Sequence, residues 1–166
     1  MPVTAPLRVA MICTGNICRS PMAEVVVSHL VSGDDTLRSR VRVTSAGTAR
    51  WHVGSAMDPR ARGALNRAGF TGEGSPAAFA DAHYLDAQHV IVAMTREHVV
   101  DVRARLTTPS SEILLLRDLF EATPGLDVPD PYYGGDEEFD RCLSLITRGG
   151  HRVAAHLRAR LGATPT

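Results

Sequence analysis

Residues 7–13, Leu-Arg-Val-Ala-Met-Ile-Cys, form a short apolar run that ends at Thr14-Gly15-Asn16. This is the pattern of a strand buried in a parallel sheet, just before a loop. Ser20-Pro21 then supplies a helix cap and a proline at the first helical position, and Met22, Val25, Val26, His29 and Leu30 recur at helical spacing as far as Gly33. Alternating valines predict a second strand over 40–47, and Pro59 to Ala68 reads as a helix that stops at Gly69. Residues 89–94 are a continuous apolar strand, Thr95 caps a helix from Arg96 to Arg105, and 112–116 make the fourth strand. An irregular, proline-containing stretch follows over 117–135. From 136 to 160, Phe139, Leu143, Ile146, Val153 and Leu157 keep mostly helical spacing, with Gly149-Gly150 expected to break or kink the helix near its middle.

Strands and helices alternating in this way predict an α/β fold, a doubly wound, four-stranded parallel sheet with helices on both faces. Ligands in such sheets sit outside the carboxyl ends of the strands, and Cys13 lies at one. No repeat, low-complexity tract or long linker divides the chain, so a single domain is expected over 1–166, with its core at about 7–160.

Composition narrows the chemistry. The 166 residues carry 18 basic and 18 acidic side chains, a formal net charge of zero, and no long block of one sign. Neither nucleic acid nor an anionic membrane is an expected partner. Every basic residue other than histidine is Arg; the lack of Lys excludes a Walker-type phosphate loop, a Schiff-base lysine and a pyridoxal phosphate anchor. Cys13, Cys18 and Cys142 make an odd count without paired spacing, which favours a reducing compartment. With no signal-peptide pattern and no apolar membrane span, a cytoplasmic monomer is expected, although secretion without a signal peptide would leave no trace. No metal-ligand spacing is present, since Cys13 and Cys18 lack a partner pair and His151 and His156 are five residues apart, so neither metal nor cofactor is expected.

Cys13-Thr14-Gly15-Asn16-Ile17-Cys18-Arg19 is a Cys-x5-Arg, and Cys142 to Arg148 has the same spacing. Context separates them. The second lies in a helical pattern without glycine, where its cysteine is expected to be an ordinary buried or half-buried thiol. The first combines strand, Gly-containing loop, Ser-Pro and helix N-terminus, the order that builds an anion cradle from backbone N–H groups over residues 14–20. Such surroundings lower a thiol's pKa, so Cys13 is expected to be a nucleophilic thiolate. Arg19 offers a planar fork to two oxygens of a phosphoryl group, and Ser20 a hydroxyl to the departing thiolate. Cys18 has two open readings, a thiol that traps oxidised Cys13 or a small residue packed beneath the loop.

Residues 13–24, CTGNICRSPMAE, resemble the signature of the low-molecular-weight protein tyrosine phosphatases, and the similarity runs from about 7 to 160. Thr44-Ser45-Ala46-Gly47-Thr48, Trp51-His52-Val53-Gly54 and Asp130-Pro131-Tyr132-Tyr133-Gly134 are similar to further family segments in the same order, closest to actinobacterial members. The resemblance implies a flavodoxin-like, phosphotyrosine phosphatase I fold. It also implies hydrolysis of phosphotyrosine through a phosphocysteine, with Cys13 as nucleophile, Arg19 binding phosphate and Asp130 as general acid. The residues alone would also have allowed Asp127 as the acid. The resemblance suggests that Asn16 shapes the loop with Ser45 as partner; a purely local turn role for Asn16 is the alternative. Trp51, His52, Tyr132 and Tyr133 are expected to wall a cleft for a phenyl ring, with His52 the most ambiguous. Phosphotyrosine proteins, a tyrosine kinase among them, are the implied partners.

Two positions depart from the family pattern. Members often carry a His and an Arg-Gln pair where this chain has Ser75-Pro76-Ala77-Ala78-Phe79, and an Asp where it has Thr95, so loop support here is expected from other residues. Alternative activities on the same fold are arsenate reduction, which needs further relay thiols, and protein arginine phosphatase activity, whose enzymes carry Thr in place of Ile17.

Overall fold

A computed structural model describes residues 4–162. Four parallel strands, β1 (Leu7–Cys13), β2 (Val41–Gly47), β3 (Val90–Ala93) and β4 (Glu112–Leu115), form one sheet in the order β2-β1-β3-β4. The chain winds outward from β1 to β2 in one direction and from β3 to β4 in the other, so the topological switch lies between β1 and β3, with Cys13 at the carboxyl end of β1 beside it. The continuous apolar run of β1 has its reason in this central place: Val9 to Cys13 are buried.

Helices α1 (Arg19–Ser32), α2 (Pro59–Arg67) and α5 (Asp136–Gly162) share one core with Val9, Met11, Val90 and Val92. On the opposite face, Ala10, Ile12 and Ile91 pack with Leu85 of α3 (Ala82–Asp86) and Val102 of α4 (Arg96–Arg105). Sequence periodicity does not reveal α3, because five residues are too few for a helical repeat to show; Asp81 caps it by accepting the Tyr84 N–H at 2.7 Å. A 3-10 turn over Leu116–Leu119 takes Leu116 from the end of the expected fourth strand and 117–119 from the stretch expected to be irregular.

Two expectations are corrected. Helix α1 begins at Arg19, with Cys18 in the cap position, so Ser20 is inside the first turn and its hydroxyl serves the loop instead of the helix end. Helix α5 runs through Gly149-Gly150 unbroken. A Cβ on Gly149 would collide with the side chain of Leu116, and one on Gly150 would come within 2.9 Å of Val26 Cγ1. The glycines give up helix propensity so that α5 can lie close against α1 and the 3-10 turn.

Candidate active site

Residues 14–18 turn across the carboxyl end of the sheet between β1 and α1. Among the described residues, Asn16 is the non-glycine with positive φ, 57°, a conformation that a short amide side chain tolerates. That side chain is buried and fully engaged. Its Nδ2 donates to Ser20 Oγ at 2.7 Å and to Ser45 Oγ at 2.9 Å, and its Oδ1 accepts the Ala78 N–H at 3.0 Å. Ser45 donates onward to Glu24 Oε1 at 3.4 Å, and Glu24 also accepts the Ser75 N–H at 2.7 Å and the Ser75 hydroxyl at 3.1 Å. Burial pushes the Glu24 carboxyl pKa up, against the downward pull of these hydrogen bonds.

Because Ser20 Oγ accepts from Asn16, its own hydrogen is free to point at Cys13 Sγ, 2.9 Å away. Arg19 is 5% exposed. Its Nη1 donates to the Val128 carbonyl at 3.1 Å, and its Nη2 lies 3.4 Å from Thr14 Oγ1 and 3.5 Å from Asp130 Oδ2. Thr14 Oγ1 is in turn 2.8 Å from Nε2 of the buried His98. Burial first, and then the charge of Arg19, push the His98 pKa down to about 4, so the ring is neutral near pH 7.

One cleft opens over this loop. Cys13, Thr14, Gly15, Ile17, Cys18 and Arg19 line its floor, and Trp51, His52, Asp130, Tyr132 and Tyr133 its walls. Trp51 and Tyr133 stand out at 78% and 94% exposure, whereas Tyr132 lies lower at 39%. The two tyrosine rings meet edge to face at 5.1 Å. His52 packs on Gly15 so closely that a Cβ there would lie 2.9 Å from its Cδ2. Asn16, Ser20 and Ser45 are behind the loop, buried, and do not line the cleft.

Asp127 is not in the cleft wall either; it accepts the Arg96 N–H at 2.9 Å and pairs with that guanidinium at 3.3 Å. Burial raises its pKa, but the hydrogen bonds from Arg96 outweigh this and hold it below the ordinary range. Burial, followed by the charge of Asp58, pushes the Cys18 thiol pKa well up. Cys142 is a buried thiol of α5, pushed up to about 12 by burial against the opposing charge of Arg19, whose field reaches it.

Glu24 stands in the 13–24 segment without an assigned role, and Asp58, the Arg60 that pairs with it at 2.9 Å, and His98 escape the sequence reading of the site. A carboxylate between Ala23 and Val25 in an apolar helix was a signal for Glu24, and Asp before Pro59 one for a capping Asp58. His98 follows Arg96-Glu97 in a polar stretch and gives none.

The chain matches the family profile of the low molecular weight phosphotyrosine protein phosphatases over residues 8–162. It is 41% identical over 143 residues to low molecular weight protein-tyrosine phosphatase A of Mycobacterium tuberculosis, covering 85% of each chain. It is 36% identical over 158 residues to the low molecular weight protein-tyrosine-phosphatase of Streptomyces coelicolor, covering 93% of this chain and 95% of that one. Its fold superimposes on the crystal structure of YfkJ from Bacillus subtilis with a TM-score of 0.83 at 32% identity, over 95% of this chain and 98% of the other. With the cleft as described, these matches establish that the chain belongs to the low molecular weight phosphotyrosine protein phosphatases, enzymes that hydrolyse phosphate monoesters.

Proposed function

We propose that this chain hydrolyses phosphotyrosine in proteins through a phosphocysteine intermediate on Cys13. Cys13 Sγ attacks phosphorus as a thiolate, and an S–P bond forms while the P–O bond to the tyrosyl oxygen breaks. Asp130 gives its proton to that oxygen. Water then attacks the phosphocysteine and passes a proton to the Asp130 carboxylate, and Cys13 departs as a thiolate with the Ser20 hydroxyl donating to it. Arg19 holds two phosphoryl oxygens in its fork throughout.

The observation that supports this reading most is the meeting of three groups in one cleft. These are Cys13 with a hydroxyl 2.9 Å from its sulfur, Arg19 with Asp130 at 3.5 Å, and the aromatic wall. Thr14, Gly15 and Ile17 face the phosphoryl group from the floor, with Asn16, Ser20 and Ser45 bracing them from behind. Trp51, His52, Tyr132 and Tyr133 make the phenyl-ring walls. The apolar side chain of Ile17 and the ring of Tyr132 favour an aryl ester over a phosphoguanidinium group. The substrates are phosphotyrosine-bearing proteins, a tyrosine kinase among them.

Phosphopeptides carrying tyrosine, serine or arginine phosphate, offered at equal concentration, separate the possibilities. Phosphotyrosine should be turned over, with a phosphate adduct on Cys13 captured by rapid quench and mass spectrometry. Cys13→Ser should abolish turnover, whereas Cys142→Ser, outside the cleft, should keep kcat within about threefold. Preference for phosphoarginine, or an adduct on another residue, would refute the assignment.

A further inference from the structure

The phosphate loop follows β1 and the Asp130 loop precedes α5, far apart in sequence, yet beside Arg19, which reaches Val128 and Asp130, a second guanidinium ties them together. Arg60 stands in the first turn of α2. Its Nε and Nη2 donate to Asp58 Oδ1 and Oδ2 at 3.1 and 2.9 Å, and its Nη1 donates to the backbone carbonyls of Tyr132 and Gly134 at 2.8 and 2.9 Å. Four of its five N–H donors are thus aimed at oxygen. Its plane also lies over the ring of Phe139, 4.6 Å from the centroid. Asp58 is tied the other way: its backbone N–H donates to the Ile17 carbonyl at 2.9 Å, within the phosphate loop.

The path continues to the carboxylate. The backbone N–H of Tyr132 donates to Asp130 Oδ1 at 3.1 Å, so the residue whose carbonyl Arg60 grips also holds the Asp130 side chain. The Asp130 side chain is itself half exposed, with Arg19 as its cationic neighbour at 3.5 Å. Its two carboxylate oxygens thus meet the Tyr132 N–H and Arg19. We propose that Arg60, oriented by Asp58, is a positioning residue that fixes the Asp130 loop at a set distance from the phosphate loop, and so fixes where the proton is delivered. This rests on Asp130 being the acid. A lysine keeps the charge and much of the stem but has no fork with which to hold Asp58 and two carbonyls together.

Arg60→Lys is the test, with Asp58→Asn as a second variant of unchanged size. Hydrogen exchange of the backbone amides of Tyr132 to Gly135 should quicken about tenfold or more in Arg60→Lys, while that of β1 stays as in the parent. For a series of aryl phosphates, kcat should fall about 10- to 100-fold where the leaving phenol has a high pKa. It should fall less than about threefold for a dinitrophenyl ester, which leaves without help. Joining Arg60→Lys to Asp130→Asn should add little further loss, because both remove the same delivered proton. Asp58→Asn should shift each readout in the same direction by a smaller factor. Unchanged loop exchange in both variants would overturn the clamp whatever the enzyme's activity. Faster exchange with an equal loss for every leaving group, or fully additive losses with Asp130→Asn, would overturn the role in positioning the acid. If Asp130→Asn itself leaves the leaving-group dependence untouched, the acid assignment has failed and this role for Arg60 falls with it. The exchange result then still reports separately on the clamp.

Discussion

Asp127 and Asp130 stand three residues apart and face different arginines: Asp127 pairs with Arg96 at 3.3 Å, outside the cleft, and Asp130 lies 3.5 Å from Arg19, inside it. The choice between two candidate acids, open from the residues alone, thereby becomes a question of which arginine each carboxylate meets. Asp130→Asn should lower kcat for phosphotyrosine by about 10²–10⁴-fold, and by less for an activated nitrophenyl ester. Asp127→Asn removes a contact at the start of α4 and should cost stability without steepening the leaving-group dependence. Kinetics across a series of substituted phenyl phosphates read both; a steeper slope in Asp127→Asn alone would reverse the assignment.

Buried, neutral His98 makes a prediction about acid sensitivity. Its pKa in the folded protein is about 4, against about 6.5 in an unfolded chain, so between these values the unfolded state binds a proton that the folded state refuses. Stability should therefore fall as pH drops from about 6.5 toward 4, by on the order of 3 kcal/mol from this group. Asp127 and Asp130 oppose the downward shift by their charge and Arg19 reinforces it. Denaturant unfolding of His98→Gln, compared with the parent at each pH, should show a flatter profile across that window; parallel profiles would contradict it.

Gly149 makes a purely structural one. In an exposed helix, alanine would stabilise by about 1 kcal/mol over glycine. Here the added methyl meets Leu116, and overpacking of this kind costs about 1–3 kcal/mol, so Gly149→Ala should lower the melting temperature. Pairing it with Leu116→Ala, which empties the space, should return part of the propensity gain. A stabilised single variant would show that α5 can move away freely.

Features legible in the sequence were those with local causes. The apolar run of 7–13, the Thr95 cap and the proline that opens α2 each act within a few residues, and features of this kind mark the four strands and the flanking helices other than α3. Gly149-Gly150 misled because a glycine that breaks a helix and one that admits a neighbour look alike until the neighbour is known, and here it comes from a distant segment. Ser20 misled differently. Its hydroxyl can cap a helix or serve a loop, and Asn16 and Cys13 decide the matter from outside the helix. The cleft floor was readable as one contiguous motif. The residues behind it, Glu24 and His98, reach it only through folding, and Arg60 joins it to the acid by contacts 72 and 74 residues away.

The segment from Ser75 to Phe79 meets the phosphate loop and the residues that back it mainly through peptide groups. The Ala78 N–H holds Asn16, the Ser75 N–H holds Glu24, the Ala78 carbonyl accepts from Gly47 at 2.8 Å, and Phe79 bridges to that glycine as a short parallel rung. A peptide group is the same whichever side chain it carries, proline excepted. Side chains other than proline can thus be exchanged at Ser75 and Ala78 with these peptide contacts kept. The support behind the nucleophile is held here by backbone, so its shape depends little on which side chains that backbone carries.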